Sequence, residues 1–276
     1  MRMWQVIGLS VLAALALAGA YALWSGAEFE GRIAALRARL EAGPAASATP
    51  DLPAIVRTYA ERAGGSSGGP AVIHLTHAAR LATAVGQPPS DIAADQWAST
   101  AMPGIVWRGH GSMLGIPLVV LDSYVDGHGL LEARIGGAIR AAYGAGGPFD
   151  KGELQRYLSE LPLLPDAILN NSALRWRQVD ATSVEVTADT PDGPASARFS
   201  FDAGGDIVGI VADDRPMTVG NSTQPTRWVG TYAGYRQFGR YRVPSHGEVG
   251  WQLPEGLFTY WRGEVTSYEP WPRSGG

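Results

Sequence analysis

The residues of this sequence whose types and spacing could support chemistry lie first in the segment DSYVDGHG. Asp122, Asp126 and His128 place two carboxylates and an imidazole at a predicted strand–turn–strand junction. Such a polar cluster could bind a metal ion or act in acid–base catalysis. Asp and Gly also meet the backbone demands of a tight turn, and DGHG is more typical of a turn than of a site.

A second polar group lies in the segment ELQRYLSE, which is predicted to be helical. Arg156 and Glu160 are four residues apart, a spacing that gives an ordinary ion pair on the surface of a helix. Tyr157 lies beside them, and the chain order can place this helix over the open face of a sheet. The surface ion pair is the favoured interpretation, and a ligand-binding role for the three residues is the alternative.

Signatures of a metal site or a known enzyme class are missing from the sequence. His74 and His77 lie three residues apart in a predicted strand and so point to opposite faces, which argues against a shared metal ion. There is no G-x-S-x-G elbow, no H-E-x-x-H pair and no phosphate-binding loop. There is also no cysteine, which excludes disulfides and thiolate ligands. We expect no metal and no cofactor.

Aromatic residues are concentrated in the predicted strands. Most tryptophans on strands belong to a core, but several on the concave face of a curved sheet would suit an apolar ligand such as an acyl chain. With the polar residues of the helix, the candidate ligand-binding residues are Trp107, Tyr124, Arg156, Tyr157, Glu160, Trp176, Trp251 and Trp261.

The composition excludes some classes of protein. Of the 276 residues, 45% are hydrophobic and 17% are charged, which excludes a disordered chain. The formal net charge is -4 and there is no basic stripe, so we expect no nucleic-acid partner. The length leaves room for one domain with a substantial core.

The N-terminal segment, residues 1–27, is predicted to be a transmembrane anchor. No charged residue occurs between residues 3 and 27, and Trp4 and Trp24 bracket an apolar run long enough to span a bilayer as a helix. A signal peptide cleaved after a small-x-small site at residues 20–22 is the alternative. We expect a single pass through the cytoplasmic (inner) membrane with the domain outside the cytoplasm, although the flanking arginines run against the positive-inside rule.

A stalk helix and a linker are predicted for residues 28–50. Phe29, Ile33, Leu36 and Leu40 recur at helical spacing, so this helix would lie on the membrane or on the domain rather than form a coiled coil. The segment GPAASATP that follows is a linker. We place a single β-rich domain at residues 51–270 and a tail at residues 271–276.

The domain is predicted to be mainly β, of the α+β class. Three segments between residues 173 and 213 show an alternation of apolar and polar residues. Asp192-Gly193 and Gly204-Gly205 are predicted tight turns between the segments. A helical insert at residues 150–171, with Asp150 as its N-cap, would cover the sheet as a lid. The expected fold is a curved antiparallel sheet or open half-barrel, and a closed barrel is the alternative.

Several motifs together resemble a bacterial family of membrane-anchored proteins of unknown function. They are LPAIV (52–56), PGIVW (103–107), DSYVDGHG (122–129), ELQRYLSE (153–160), Asp214-Arg215, GYRQFGRYRVP (234–244), EVGW (248–251) and TYWRGEV (259–265). The resemblance extends from about Leu52 to Tyr268. It implies a fold similar to the half-barrel of periplasmic lipoprotein carriers. The chain departs from the family pattern at Leu163 and Pro165-Asp166, so its specificity can differ if that segment lines a site.

These observations favour a membrane-tethered envelope protein that binds a lipid or another amphipathic ligand in a half-barrel. An enzyme of unknown reaction that uses the carboxylate and histidine residues is one alternative. A structural partner in an envelope complex is another, and no particular protein partner is indicated. A continuous apolar cavity would favour binding, and carboxylates converging in a polar cleft would favour catalysis.

Overall fold

Four α-helices and thirteen strands make up the described part of the computed structural model, which comprises residues 2–113, 115–220 and 222–271. The helices are α1 (Arg2–Glu41), α2 (Ala54–Arg62), α3 (Pro148–Ser159) and α4 (Pro165–Asn170), with a short 3₁₀ helix at Leu161–Leu163. The strands are β1 (Val72–Leu81), β2 (Ser90–Ser99), β3 (Ile105–Met113), β4 (Ile116–Val125), β5 (His128–Ile135), β6 (Ile139–Ala145), β7 (Arg175–Gln178), β8 (Ser183–Thr190), β9 (Gly193–Phe201), β10 (Ile207–Val219), β11 (Ser222–Phe238), β12 (Tyr241–Leu253) and β13 (Gly256–Trp271).

The thirteen strands form one antiparallel sheet in the order β6-β5-β4-β3-β2-β1-β13-β12-β11-β10-β9-β8-β7. The chain enters at β1 in the middle and meanders to one edge at β6. The helical insert then carries it to the opposite edge at β7, and a second meander returns to β13, which pairs with β1. The edge strands β6 and β7 do not pair with each other. The fold is therefore the predicted half-barrel and not a closed barrel.

Alternation of apolar and polar residues decides which face of each strand is buried. In β8, Val184 and Val186 are fully buried, whereas the residues between and beside them are partly exposed. The β8–β9 hairpin closes with the register Thr190 to Gly193, and Gly193 has φ +128°, a backbone conformation that a β-branched residue resists. The predicted hairpin at Asp192-Gly193 is present.

Helix α3 lies inside the concave face of the sheet and contacts strands near both edges. Its N-terminal end approaches β5 and β6 closely, because a Cβ atom on Gly129 would lie 2.2 Å from the carbonyl oxygen of Phe149 and one on Gly144 would meet the Phe149 ring. The other side meets β9, where Gln155 Nε2 donates a 3.2 Å hydrogen bond to the Ser196 carbonyl. A helix that touches both halves of the sheet requires the sheet to curl around it.

The helical insert differs from the predicted lid in two respects. Asp150 is not the N-cap, since Gly147 occupies that position and α3 has no side-chain cap hydrogen bond. The Asp150 carboxylate instead accepts a 2.7 Å hydrogen bond from the backbone N–H of Gly129 in β5. Leu154 and Leu158 are fully buried, and most other residues of α3 are buried as well. The insert therefore forms part of the core.

Helix α1 covers the convex face of the sheet with its C-terminal half. Phe29, Ile33 and Leu40 are buried there against Val106 of β3, Leu121 of β4 and neighbouring side chains. Residues predicted as a separate stalk thus continue the N-terminal helix without a break and pack on the domain. The first half of α1 is exposed, and it is long and apolar enough either to span a membrane or to serve as a signal sequence.

Ion pairs hold α1 to the sheet. Glu132 of β5 is completely buried. Its carboxylate accepts one hydrogen bond from Nε of Arg134 in the same strand and one from Nη2 of Arg32 in α1, each at 2.6 Å. Arg108 of β3 makes a bidentate contact with Glu30 of α1, in which Nη2 donates to Oε1 at 2.7 Å and Nε donates to Oε2 at 3.0 Å. Residues 272–276 of the predicted tail lie outside the described residues, whereas Trp271 ends β13.

Candidate functional site

A cavity of about 410 Å³ lies between α3 and the concave face of the sheet. Its walls come from the central strands β1, β3, β4 and β10 to β13, and its remaining side is the face of α3 that carries Glu153 and Arg156. The two meanders approach the helix from opposite sides. The space that α3 leaves unfilled is therefore enclosed by strands that are far apart in the sequence.

Aromatic rings form much of the cavity wall. Trp107, Trp251 and Trp261 line it together with Tyr260, which stacks on Trp251 with a centroid distance of 6.0 Å and an interplanar angle of 21°. Small residues let the tryptophans lie flat on the sheet. A Cβ atom on Gly109 would approach the Trp107 ring to 2.4 Å. The same holds for Gly263 beneath Trp261, where the distance would be 2.2 Å.

Arg156 and Glu160 form a buried ion pair on the cavity side of α3. The predicted i, i+4 pairing is present, but the expectation of a surface pair is wrong because the two side chains are only 16% and 8% exposed. Gln96 of β2 supports the pair, since its Nε2 donates to Glu160 Oε2 at 3.0 Å and its Oε1 accepts from Arg156 Nη2 at 3.4 Å. The amide thus holds both charged groups in place within a largely apolar site.

Glu153 and Asp122 form a second polar group on the same side of the cavity. Burial raises the pKa of Glu153 well above its usual range, and the charge of Asp122 and a hydrogen bond to it raise this pKa further. Glu153 therefore keeps its proton under conditions in which an exposed glutamate has lost it. Arg215 lies near the pair, with its guanidinium 4.4 Å from the centroid of the Trp228 ring.

His77 of β1 faces the cavity, whereas His74 stacks on Trp97 on the opposite face at a centroid distance of 4.9 Å. This confirms that the two histidines point to opposite faces. Burial lowers the pKa of His77 to about 3, and the charges of Arg156 and His74 act in the same direction. The His77 imidazole is therefore neutral at ordinary pH.

Several buried polar atoms at the cavity have no hydrogen-bond partner among the described residues. Three of them belong to side chains that are at most 6% exposed: Nδ1 of His77, Nε1 of Trp107 and Nη1 of Arg215. Oδ1 of Asp122 and Oε2 of Glu153 likewise accept no N–H bond, which is consistent with a proton shared between the two carboxyl groups. The three nitrogen atoms are closed off from water without a partner, and each belongs to a residue that lines the cavity.

Three of the predicted ligand-binding residues lie in the core and not at the cavity. The Tyr124 hydroxyl donates to the Asp189 carbonyl at 3.3 Å, and the Tyr157 hydroxyl donates to the Ser99 carbonyl at 3.0 Å. Trp176 stacks on a core phenylalanine of β9. The structure places the other five candidates at the cavity: Trp107, Arg156, Glu160, Trp251 and Trp261.

The predicted cluster of Asp122, Asp126 and His128 is not brought together. Asp122 lines the cavity, whereas Asp126 lies in the β4–β5 turn at φ +53° and pairs with Arg39 of α1. His128 is exposed, with its Nδ1 3.8 Å from Asp150 Oδ2. DGHG is thus a turn, as its composition favoured. The described residues contain no group of three or more His, Cys, Asp or Glu side chains that could hold a metal ion.

Sequence reasoning missed a number of residues that line the cavity, and four of them bear on its chemistry. His77, Glu153, Arg215 and Tyr260 line the cavity, and none was among the site candidates. A signal existed for three of them, because Glu153, Arg215 and Tyr260 belong to the motifs that carry the family resemblance. His77 had no such signal, since its inward orientation depends on the register of β1.

Comparison with solved structures gives similarities of fold only. A LolA superfamily protein from Nitrosomonas europaea is 7% identical with a TM-score of 0.43, and the alignment covers 79% of this chain and 94% of that chain. A DUF1329 family protein from Desulfovibrio piger is also 7% identical, with a TM-score of 0.42 and coverages of 78% and 91%. None of the curated proteins matches the sequence. The family of unknown function DUF6544 matches residues 44–263, and the chain therefore belongs to that family.

Proposed function

We propose that this protein is a membrane-tethered envelope protein that holds a lipid or another amphipathic molecule in its half-barrel. The observation that carries the proposal is the cavity between α3 and the concave face of the sheet. Its volume of about 410 Å³ lies in the range of small-molecule sites. Its wall is mostly apolar, with a few polar groups, and this composition is typical of sites for amphipathic ligands.

The apolar part of the cavity suits a hydrocarbon chain. Trp107, Trp251 and Trp261 offer flat ring surfaces, and Val120 and Leu81 add aliphatic surface. Contact with these groups removes apolar ligand surface from water, which contributes about 25 cal/mol for each Å² buried. The affinity would therefore come mainly from the chain of the ligand.

The polar part of the cavity suits an uncharged or zwitterionic group. Arg156 is paired with Glu160, and Arg215 lies by Asp122 and by Glu153, whose pKa is raised well above its usual range so that it keeps its proton. The formal charges of these groups therefore balance. A buried polar atom without a partner costs about 1–3 kcal/mol. A hydroxyl, ester or amide group of the ligand would remove part of that cost by bonding the unpartnered nitrogen atoms.

The N-terminal helix supports the membrane tether. Its exposed apolar half, residues 3–24, continues into the half that is docked on the domain. Such a connection would hold the half-barrel directly at the bilayer surface. In this proposal α1 is an uncleaved anchor in the cytoplasmic membrane and the domain lies outside the cytoplasm.

The proposal is tested by native mass spectrometry of the full-length chain released from detergent micelles. We expect a bound amphiphile on the wild type. Thr223→Trp narrows the cavity mouth and should reduce occupancy at least tenfold. Gln224→Trp is the matched control, because the neighbouring residue of β11 is exposed and does not line the cavity. Equal occupancy in both variants, or no bound amphiphile on the wild type, would refute the proposal.

A second candidate function is acid–base catalysis on the bound molecule, and the observation that favours it is the carboxyl pair. Glu153 is protonated beside Asp122, so the two could act as acid and base, respectively, and raised pKa values of this kind are frequent in active sites. Incubation of the wild type with its own amphiphile should then change the ligand mass with time, whereas Glu153→Gln should leave the mass constant. An unchanged mass in both would exclude hydrolysis and every other mass-changing reaction of that ligand.

A further inference from the structure

The turns between strands lie at two opposite ends of the half-barrel. One end carries the β1–β2, β3–β4, β5–β6, β10–β11 and β12–β13 turns. Antiparallel pairing places the two residues that flank each turn opposite each other at this end, as it does for Leu81 with Ser90 and for Met113 with Ile116. We call this end the exit rim. The other end carries the β2–β3, β4–β5, β7–β8, β9–β10 and β11–β12 turns, and we call it the far rim. The β8–β9 turn belongs to neither group, because the twist of the sheet brings its Pro191 beside Gly127 of the β4–β5 turn.

Helix α1 runs along the convex face from the exit rim to the far rim. Near the exit rim, the Ser25 carbonyl accepts a 2.8 Å hydrogen bond from Arg134, and a Cβ atom on Gly137 in the β5–β6 turn would lie 3.0 Å from the Ala22 carbonyl oxygen. At the far rim, Arg39 pairs with Asp126 of the β4–β5 turn. The apolar N-terminal half of α1 therefore leaves the domain past the exit rim.

The exit rim carries most of the exposed apolar side chains outside α1. Large apolar residues that are exposed in the rest of the described chain are Val85 (67%), Met113 (40%), Ile116 (48%), Ile139 (65%), Tyr143 (53%), Val179 (39%), Val219 (44%) and Leu257 (54%). All except Tyr143 and Val179 lie in or beside the exit-rim turns. The far-rim turns carry charged residues, among them Asp126, Asp202 and Arg240, and Val179 is the one exposed large apolar residue in the far-rim turns of the described chain. Charged residues such as Asp91 and Glu255 also lie at the exit rim, so the two rims differ in their apolar residues and not in the presence of charge. Apolar residues therefore face the side on which the apolar half of α1 leaves the domain.

The cavity also opens towards the exit rim. Leu81, Ala82 and Thr83 line it at the end of β1, and Met217 and Thr223 line it at the adjoining ends of β10 and β11. The polar groups of Asp122 and His77 lie farther inside, in the middle parts of their strands. A hydrocarbon chain that reaches the mouth would thus meet apolar side chains before it reaches polar ones.

We propose that the exit rim inserts its apolar turns into the interface of the bilayer leaflet nearest the domain, so that the cavity opens directly on the lipids of that leaflet. The inference rests on the membrane tether of the proposed function and adds the surface through which the ligand enters. The occupant of the exposed apolar rim is the lipid surface, because α1 leaves the domain beside the Gly137 turn and sets the rim at the height of the membrane.

The absence of cysteine from the sequence makes a site-specific test direct. Single variants Val85→Cys, Ile139→Cys and Val219→Cys carry an environment-sensitive NBD label on the full-length chain in phosphatidylcholine–phosphatidylglycerol nanodiscs. Val179→Cys at the far rim is the matched control, since it is an exposed valine at the opposite end. We expect a blue-shifted emission and at least twofold quenching by doxyl-labelled lipid at the three exit-rim positions, and neither effect at position 179.

The outcomes separate this inference from the proposed function. Water-like emission at all four positions overturns the inference, even when mass spectrometry of the same sample finds a bound amphiphile in the cavity. Quenching at the exit rim without any bound amphiphile leaves the inference standing and refutes the proposed function. Shielding of the exit-rim labels without quenching by doxyl lipid would indicate a protein partner on this surface and would also overturn the inference.

Discussion

His77 should make the stability of this protein fall as the pH falls. Burial in the cavity wall lowers the pKa of its imidazole from 6.5 in the unfolded chain to about 3 in the folded protein. The unfolded state therefore takes up a proton first, and each step in pH below 6.5 favours it further. The contribution of the neutral His77 imidazole to the free energy of unfolding is complete above about pH 6.5 and is lost progressively as the pH falls to about 3.

The magnitude follows from the difference between the two pKa values. One pKa unit corresponds to about 1.4 kcal/mol, so the whole shift of His77 corresponds to a loss of about 5 kcal/mol, of which about 3 kcal/mol is reached by pH 4. His77→Gln replaces the imidazole by an amide that does not titrate. The difference in the free energy of unfolding between wild type and variant should therefore be constant above pH 7 and should shrink below pH 6.

Denaturant unfolding of the full-length chain in detergent, followed by tryptophan fluorescence from pH 8 to pH 4, measures this difference. His110→Gln is the control, because it makes the same substitution at a histidine that is exposed on β3 and lies outside the cavity wall. If the curves of the wild type and His77→Gln ran parallel from pH 7 to pH 4, His77 would not be buried and neutral, and the description of the cavity wall would be wrong.

Three further predictions concern the turn, the docked helix and the anchor. Gly193→Val should lower the free energy of unfolding by about 1 kcal/mol or more because of the positive φ at this position, and an unchanged thermal midpoint would contradict the hairpin. Glu132→Ala should cost about 1–3 kcal/mol in denaturant unfolding, since it leaves the buried Arg134 with Glu28 as its remaining carboxylate partner. A loss below about 1 kcal/mol would mean that α1 is not held by this pair. The full-length chain should remain in the membrane pellet after an alkaline wash, and a mature N-terminus near Leu23 would instead identify a cleaved signal.

The docked half of α1 also changes how a soluble fragment should be designed. A fragment that begins near Ala45 follows the sequence-based boundary, but it would uncover Val106 and Leu121 on the convex face. It would also remove Arg32, which pairs with the buried carboxylate of Glu132. A fragment that begins near Ser25 keeps these contacts and is the one expected to remain folded.

Local patterns in the sequence were sufficient for the fold class and for most of the elements. The period-two alternation in β8 and β9, the glycine at position 193 and the apolar run at the N-terminus depend on neighbouring residues only. Such patterns predicted a curved antiparallel sheet with a helical insert and an apolar N-terminal helix, all of which are present. The strands β2 (Ser90–Ser99) and β6 (Ile139–Ala145) were missed, because small and polar residues in their SDIAADQWAS and IRAAYGA segments weaken the alternation.

Which residues line the cavity was decided by the tertiary structure. Arg156 and Glu160 have the spacing of a surface pair, and only the position of α3 inside the curled sheet buries them. His77 and Arg215 lie 138 positions apart in the numbering and approach one cavity because the second meander returns to pair with β1. Contacts of this kind depend on the curvature of the sheet and the path of the crossing helix, and both are set by long-range packing that no local sequence pattern encodes.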